Sequence, residues 1–449
     1  MLTKEENERL TRVGPGTPAG AFLRRYWQPV GFASELTPER PKLRAKVLHE
    51  ELVIFRDAAG HYGCVAEHCP HRGVSLYYGF VEDCAIRCAY HGWKFDTAGN
   101  CLEQPFEPAA STFQDRIRQR AYPVQQLGGV LFVYMGPSPA PLLPRWDVLA
   151  WPGHRKLYRW APLQCNWLQI VENSIDITHT YYLHGHSLWL QGARGPNVDY
   201  FYRPIVQHGA QPFEWGIVKS WTYVGNGTAL GDEIAGGTPM VFPGMVRVLE
   251  YPWHTLHFRV PIDDTTTQVF WVGYLAAGEP THPVARQQCA PDCRACAREM
   301  AGEQQDPEAP FVHDLLAEVR PDGEYAMSGF FGQDRMAWET AGPIFDRSQE
   351  HLATSDRGIL MFRQMLREQI QAVEEGRDPL GTIRDPAQNA VIELPAWVTD
   401  VGSERSVDRG GVLASAPTMA AVFDERHESI VIDPTSPVFS KANGSAGET

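Results

Sequence analysis

The sequence predicts an α+β protein in which a small strand-rich unit precedes a larger unit of helices and strands. From Val30 to Pro137, short runs of β-branched and aromatic residues alternate with turn residues, which is typical of a small β-sandwich. A second strand-rich stretch of similar composition extends from Tyr200 to Tyr274. Helical patterns lie outside these two stretches, and this separation along the chain indicates the α+β class.

Four helices are predicted from the spacing of apolar residues. The first has the best-defined start, because Thr3 and Glu6 have the spacing of a capping box. The last has the strongest pattern and is rich in Leu, Met, Arg, Glu and Gln. The expected ranges, in chain order, are 4–13, 21–26, 166–182 and 345–375.

The proline-rich run from Pro137 to Pro144 is the best candidate for a domain boundary. We predict four segments along the chain. An N-terminal helical segment packs on the second domain, the two domains follow on either side of the proline-rich run, and a small polar tail is expected to be disordered. The predicted limits of these four segments are 1–29, 30–140, 141–440 and 441–449.

Charge and composition exclude several classes of partner. A net charge of −14 argues against nucleic acid and anionic membranes, although it leaves an anionic substrate open. No stretch is long and apolar enough to span a membrane. The chain opens with charged residues rather than an apolar leader, and it contains nine cysteines. We therefore expect a reducing, cytoplasmic location.

Two cysteine–histidine pairs lie within the first strand-rich stretch. Cys69 and His71 form the first pair, and Cys88 and His91 form the second. Two thiolates can bind one iron while two imidazoles bind another, which is the ligand set of a Rieske [2Fe–2S] centre. The pattern therefore predicts one-electron transfer.

A Cys2His2 zinc site is the alternative, because zinc also binds thiolate and imidazole. Zinc fingers usually pair cysteine with cysteine and histidine with histidine in sequence, whereas the two types alternate here. Gly73 and Gly92 closely follow the two histidines, and they suit loops that curl around a cluster with N–H groups aimed at sulfur. These features favour the iron–sulfur cluster.

A second iron site is indicated by Asp176, His179 and His184, which follow the spacing D-x2-H-x4-H. On a helix Asp176 and His179 share a face, so the carboxylate can accept the second N–H of the imidazole. His184 would not share that face in an ideal helix, so we expect the helix to loosen or end near Leu183. Two histidines and a carboxylate form the facial triad of non-haem Fe(II) oxygenases. His186 is the alternative to His184.

These motifs resemble those of the Rieske oxygenases. CPHRG and CAYHGWKFD look like the two cluster loops of that family. Val74 and Tyr90 occupy the places where respiratory Rieske proteins have an extra cysteine, so their disulfide cannot form here. The opening thirty residues, VPIDD at 260–264 and the segment 332–356 are similar to the phthalate 4,5-dioxygenase group of oxygenase α subunits. The resemblance implies a Rieske β-sandwich domain beside a catalytic domain of antiparallel sheet flanked by helices.

The same resemblance implies roles for individual residues. Asp176 would bridge the cluster ligand His91 to the iron ligand His179. The third iron ligand would be Asp356, in a segment similar to the family's (T/S)SD. From the residues alone Asp356 and Glu350 are both open, whereas Asp346 is expected to cap the late helix.

The family resemblance further implies an aromatic substrate, often carboxylated, that is hydroxylated, dihydroxylated or O-demethylated. Lys219, Arg247 and Arg259 are candidates to bind its carboxylate, with an exposed strand face as the alternative for each. The implied partners are a reductase that carries flavin and a [2Fe–2S] centre and uses NAD(P)H, and further copies of the chain in a homotrimer or stacked hexamer. The competing hypothesis is a Rieske electron carrier without oxygenase activity.

A third group of cysteines does not belong to the resemblance. Cys289, Cys293 and Cys296 lie in a polar insertion between Pro280 and Pro307. They are either a further metal site or free surface thiols.

Overall fold

The computed structural model describes residues 1–193, 196–224, 233–250, 253–276, 311–315, 323–400 and 430–431. The cysteines at 289, 293 and 296 and the predicted tail at 441–449 lie outside the described residues. Within those ranges, each helix is too short or too polar to cross a lipid bilayer.

Eight α-helices and one π-helix are formed by the described residues. They are α1 (Lys4–Thr11), α2 (Pro18–Leu23), α3 (Asp147–Ala150), α4 (Trp167–Ile175), the π-helix (Thr180–His186), α5 (Ser187–Leu190), α6 (Pro196–Phe201), α7 (Phe330–Thr340) and α8 (Arg357–Glu374).

The N-terminal helices follow their capping residues. The predicted capping box is present, since Thr3 Oγ1 accepts a hydrogen bond from the Glu6 N–H and the Glu6 carboxylate accepts one from the Thr3 N–H. The second helix begins three residues earlier than predicted, because Thr17 caps it and Pro18 suits its first turn. Helix α1 packs against α4, and α2 packs against α8.

Three small antiparallel sheets build the N-terminal strand-rich region. Their orders are β1-β10-β9, β2-β3-β4 and β5-β6-β7-β8. The strands are β1 (Trp27–Phe32), β2 (Lys42–Val47), β3 (Glu50–Arg56), β4 (Tyr62–Ala66), β5 (Phe80–Glu82), β6 (Ala85–Arg87), β7 (Lys94–Asp96), β8 (Cys101–Glu103), β9 (Val124–Leu127) and β10 (Val130–Tyr134).

One large sheet dominates the rest of the described chain. Its order is β18-β11-β17-β16-β15-β14-β13-β12-β20, with β19 paired to β14, and its pairs are antiparallel except β11 with β18. The strands are β11 (Gly153–Trp160), β12 (Ile205–Phe213), β13 (Gly216–Val224), β14 (Glu233–Val241), β15 (Met245–Glu250), β16 (Trp253–Pro261), β17 (Thr267–Ala276), β18 (Phe311–Leu315), β19 (Trp397–Asp400) and β20 (Ile430–Val431).

Helices cover this sheet through apolar side chains. Helix α4 packs on β16, and α8 packs on β12. Along α8 the side chains of Phe362, Leu366 and Ile370 recur at helical spacing and are fully buried. The Phe362 ring lies 5.0 Å from the ring of Phe242, measured between centroids. The fold is therefore the predicted α+β arrangement of an antiparallel sheet flanked by helices.

The late helical region differs from the prediction. The expected helix at 345–375 begins only at Arg357, because Asp346 Oδ1 accepts hydrogen bonds from the N–H and hydroxyl of Ser348 and forms a turn instead of a helix cap. Helix α7 precedes this turn and was not predicted.

Buried ion pairs hold the same segment in place. The Arg347 guanidinium lies 2.7 Å from Glu172 Oε2 on α4, and Arg363 on α8 contacts both Glu172 and Glu350. Glu350 is thus committed to Arg363 in the core, and it is not available as the iron ligand that the sequence left open.

Candidate active site

The two cluster loops have the same backbone hydrogen bonds. In the first, the Gly73 N–H donates to the Cys69 carbonyl at 2.9 Å; in the second, the Gly92 N–H donates to the Cys88 carbonyl at 3.0 Å. Both glycines have φ of +73°, a conformation that side chains disfavour, which explains why glycine is required at each tight turn. Each loop thereby presents its cysteine and histidine in one direction.

The four predicted cluster ligands meet between these loops. Cys69 and Cys88 are buried. Burial and the adjacent Cys88 raise the pKa of the Cys69 thiol to about 12, so Cys69 needs a neighbouring cation in order to ionise at neutral pH. The rings of His71 and His91 lie 4.6 Å apart between centroids, and His91 Nδ1 is buried without a hydrogen-bond partner. Two thiols, two imidazoles and an unpartnered ring nitrogen fit a [2Fe–2S] cluster.

The outer edge of the cluster site faces solvent. His71 and Arg72 are exposed, and the Tyr90 side chain is 52% exposed. On the inner side, the ring of His71 stacks on Trp93 at 4.3 Å with only 9° between the planes. The stacking on Trp93 therefore fixes the orientation of the His71 ring, while the outer edge of this ring remains accessible to another protein.

The second site is built on the π-helix. An i→i+5 hydrogen-bond pattern widens each turn, so residues five apart, such as His179 and His184, lie on the same face. This is the loosening that the spacing of the two histidines predicted. Gly185 permits the π-helix to pack closely, since a Cβ there would lie only 2.5 Å from the Phe201 carbonyl oxygen.

Asp334 is the carboxylate that lies beside the two histidines. Its Oδ1 is 3.4 Å from His184 Nε2 and 3.9 Å from His179 Nε2. One donor atom from each residue lies within 4.8 Å of the others, so the three can share one ion. Asp334 is on α7, which brings it across from the π-helix.

The prediction that Asp356 completes this triad is wrong in the structure. Asp356 ends a short 3-10 turn at the start of α8, and its Oδ2 accepts a hydrogen bond from the Ala353 N–H at 2.7 Å. A weak signal for Asp334 was present in the sequence, since Phe331 and Trp338 recur at helical spacing around it. Both rings pack on Trp160.

Neighbouring side chains orient the two histidines. His184 Nδ1 donates to Gln333 Oε1 at 2.9 Å, and Gln333 Nε2 donates to the Met327 carbonyl, which fixes the amide. His184 Nε2 is therefore free to bind a metal. His186, the alternative ligand, instead directs its Nδ1 towards the Tyr202 hydroxyl at 3.3 Å.

Asp176 lies behind His179, as its predicted role requires. Its Oδ2 is 3.6 Å from His179 Nδ1, and its Oδ1 accepts hydrogen bonds from the N–H and hydroxyl of Thr178. Burial alone would raise the pKa of Asp176, but His179 and Thr178 hold it well below its ordinary value. The carboxylate is therefore a fixed anion beside the histidine.

The triad has the features of an unsatisfied metal site. Asp334 Oδ1 is buried without a hydrogen-bond partner. Burial would raise the pKa of Asp334, but His184, His179 and Arg259 keep it below its ordinary value. Two imidazoles and one anionic carboxylate fit Fe(II) and leave coordination positions open.

Two of the three predicted basic residues face this site. Burial lowers the pKa of Lys219, on β13, to about 8, although Asp176 and Asp334 oppose that shift. Burial lowers the pKa of Arg259, on β16, to about 9, opposed by Asp334. Arg259 also donates to the Ser174 hydroxyl at 2.8 Å, but its Nε is buried without a partner.

Arg247, the third basic candidate, does not face the site. It pairs in register with Leu256 on β16, three residues from Arg259, and so it points to the opposite face of the sheet. There it is fully buried between Asp147 at 3.0 Å and His254 at 2.7 Å. Its charge is committed to the core, so it is not a substrate ligand.

Known protein families match both parts of the chain. The Rieske [2Fe-2S] domain family matches residues 26–115, and the family described as LigXa C-terminal domain like matches residues 242–408. The chain is 35% identical over 423 residues to the 5,5'-dehydrodivanillate O-demethylase oxygenase subunit of Sphingobium sp., covering 92% of each chain. It is 32% identical to the phthalate 4,5-dioxygenase oxygenase subunit of Pseudomonas putida, covering 89% of this chain and 93% of that protein.

The fold also matches a solved oxygenase. The terminal oxygenase of carbazole 1,9a-dioxygenase from Nocardioides aromaticivorans superposes with a TM-score of 0.57 at 20% identity, covering 82% of this chain and 97% of that one. Such enzymes use a Rieske cluster and a mononuclear iron, and they receive electrons from a separate protein. Both candidate sites described above have suitable ligand sets. The chain therefore belongs to the Rieske non-haem iron oxygenases, as the oxygenase component of a multicomponent system in the group of phthalate 4,5-dioxygenase.

Proposed function

We propose that this oxygenase acts on an aromatic carboxylate held by Lys219 beside an iron bound by His179, His184 and Asp334. Lys219 carries the proposal. Neither a hydrogen bond nor an ion pair joins its ammonium to the described part of the chain. A partly buried cation without a partner is costly, and an anionic ligand would offset that cost.

Arg259, on β16, supports the same interpretation. Its hydrogen bonds to Ser174 and to the His257 carbonyl fix the guanidinium, while Nε has no partner. Together with Lys219 it offsets the negative charges of Asp176 and Asp334, so that bound Fe(II) would make the site positive despite a net charge of −14 for the whole chain. A local positive field of this kind attracts anionic substrates.

The cluster and the mononuclear iron, when bound, supply single electrons and O2 activation. The protein orients the reaction through its own side chains. Gln333 fixes the ring of His184, Asp176 fixes the ring of His179, and Lys219 would place the carboxylate so that the ring or its substituent faces the iron. The first two are positioning residues, because each acts through a histidine.

The proposed electron route passes between subunits. The ring of His91 lies 4.6 Å from the ring of the exposed His71, measured between centroids, and Asp176 lies behind His179. We propose that His91 of one subunit meets Asp176 of the next in a homotrimer or a stacked hexamer. The electron donor in this proposal is a reductase with flavin and a [2Fe–2S] centre that draws on NAD(P)H.

O-demethylation is the second candidate activity. It is favoured by the similarity to the O-demethylase subunit of Sphingobium sp., which covers 92% of the chain. In that case a methoxy group rather than a ring carbon pair would face the iron. The two activities differ in product, since hydroxylation of a methyl ether releases formaldehyde and dihydroxylation gives a cis-diol.

The test is a substrate comparison with the iron-loaded enzyme, a surrogate reductase and NADH. Phthalate, benzoate and methoxybenzoates are each paired with the neutral methyl ester of the same ring. O2 uptake, diol and formaldehyde are measured together. The acids are expected to be turned over and the esters to be poor substrates. Equal turnover of an acid and its ester would overturn the carboxylate assignment, and the product separates the two activities.

A further inference from the structure

Three potential metal ligands meet on the Rieske domain, away from the cluster ligands. Asp57 and His61 belong to the turn between β3 and β4, and Cys84 belongs to the turn between β5 and β6. The two hairpins are thereby joined at their tips. Strand β4 leads into the loop of Cys69, and β6 leads into the loop of Cys88.

The three donor atoms form a nearly equilateral triangle. Cys84 Sγ is 2.8 Å from Asp57 Oδ2 and 3.1 Å from His61 Nδ1, and the last two atoms are 3.0 Å apart. Ligands of a tetrahedral zinc ion lie about 3.4–3.6 Å from one another, as its bond lengths require. Shifts of less than about 1 Å would therefore admit an ion.

A nucleophilic relay does not explain this geometry. In a Cys-His-Asp relay the two ring nitrogens of histidine have different partners. Here the same atom, His61 Nδ1, faces both the thiol and the carboxylate. One nitrogen, one sulfur and one oxygen directed at a common point are the arrangement of ligands around a cation.

The backbone holds the donors in place and leaves one side open. The N–H groups of Cys84 and His61 both donate to the Asp57 carboxylate, at 3.0 and 2.8 Å. The Asp57 side chain is 3% exposed and that of His61 is 63% exposed, so water can supply a fourth ligand.

We propose that Asp57, His61 and Cys84 bind a divalent metal ion, preferably zinc. The ion would link the two hairpins that lead into the cluster loops. The mixed thiolate, imidazole and carboxylate set suits zinc, and cobalt can replace it as a probe. Binding displaces the thiol proton of Cys84 and involves no redox change.

Cobalt titration of the iron-loaded enzyme tests the proposal. A thiolate bound to Co2+ gives an intense near-ultraviolet charge-transfer band, whereas Co2+ at the mononuclear iron site gives none, because that site has no thiol. One equivalent of Co2+ is expected to produce the band, Zn2+ to remove it, and about one proton to be released per ion. Zn2+ is also expected to raise the melting temperature.

Matched variants assign the band to these residues. Cys84→Ala and His61→Gln are expected to weaken cobalt binding at least about 100-fold, since losing even an outer contact of a metal site costs 10- to 100-fold. Cys101→Ala, which removes another cysteine of the same domain, is expected to keep the band. The Rieske absorption of every variant shows whether the domain is folded.

The remaining thiols need a separate control, so the titrations use a background in which Cys289, Cys293 and Cys296 are replaced by serine. Absence of the band at millimolar Co2+, or an unchanged band in Cys84→Ala, would overturn the proposal. A band lost in both Cys84→Ala and His61→Gln but kept in Cys101→Ala would support it.

Discussion

Asp334 and Asp356 lie in the same late part of the chain, yet the structure directs Asp334 rather than Asp356 at the two histidines. We predict that Asp334→Ala lowers the iron content from about three to about two per chain and abolishes product formation. Asp356→Ala is expected to keep all the iron. Its free energy of unfolding should fall by only about 1 kcal/mol, because the substitution removes one hydrogen bond of a turn. Iron analysis with EPR of the cluster distinguishes the two variants. A full iron content in Asp334→Ala would refute the assignment.

Lys219 gives the site a defined pH dependence. Its pKa of about 8 lies below the ordinary 10.5, so the ammonium loses its proton as the pH rises through about 8. Asp176, Arg259 and Asp334 are the charged groups that act on it, and bound iron adds positive charge, which shifts the loss to lower pH. For a carboxylate substrate, kcat/KM should then fall about tenfold per pH unit above that point.

Two variants check this explanation. Lys219→Met is expected to raise KM and to remove the decrease in kcat/KM at alkaline pH. Lys219→Arg is expected to move that decrease to higher pH. The measurement is kcat/KM between pH 6 and 10 for an acid. If kcat/KM of Lys219→Met still decreases at alkaline pH, the titration belongs to another group.

The site residues differ in how far the sequence could predict them. The four cluster candidates lie within two short loops, so their local spacing is enough to indicate the ligand set. Asp334 lies 150 residues after His184 and meets it only through the packing of α7 on the π-helix. The helical spacing of Phe331 and Trp338 is the one weak local signal that favours Asp334 over Asp356. The positions of Lys219 and Arg247 depend on which face of a strand is covered.

At the scale of elements, the π-helix depends on Gly185. A Cβ at this position would lie 2.5 Å from the Phe201 carbonyl oxygen, so Gly185→Ala must displace either α6 or the π-helix. We expect a loss of about 1–3 kcal/mol in the free energy of unfolding, together with partial loss of the mononuclear iron. Chemical denaturation and iron analysis provide the readouts.

Gly14→Ala is the matched control, since its new Cβ would make only ordinary contact with His49 at 3.5 Å. Its stability and iron content are expected to stay close to those of the wild type. Equal effects of the two substitutions would mean that Gly185 has no special part in shaping the iron site.

Elements with strong local signals were predicted well. The capping box located α1, and aromatic and β-branched runs located the strands between 205 and 276. The predicted start of the late helix was wrong. Helix-forming residues continue through 345–356, but the buried ion pair of Arg347 and the turn at Asp346 hold that segment in a loop. Such tertiary contacts have no signature in local composition.

At the scale of the whole molecule, Asp176 tests the proposed route between subunits. Asp176→Ala is expected to leave both metal centres in place and to slow electron transfer from the cluster to the mononuclear iron by orders of magnitude. Single-turnover oxidation of the pre-reduced cluster measures this step directly. Normal cluster oxidation in the variant would exclude a bridging role. Unchanged oligomer size, measured by light scattering, is the required control.

The exposed outer edge of the cluster site has a consequence for a chain on its own. With His71, Arg72 and Tyr90 facing water, a reduced centre in a dissociated subunit would meet dissolved oxygen directly and release superoxide instead of delivering its electron. The proposed assembly of subunits would then conserve reductant as well as complete the electron route. Dilution of the enzyme should accordingly raise NADH consumption per product formed.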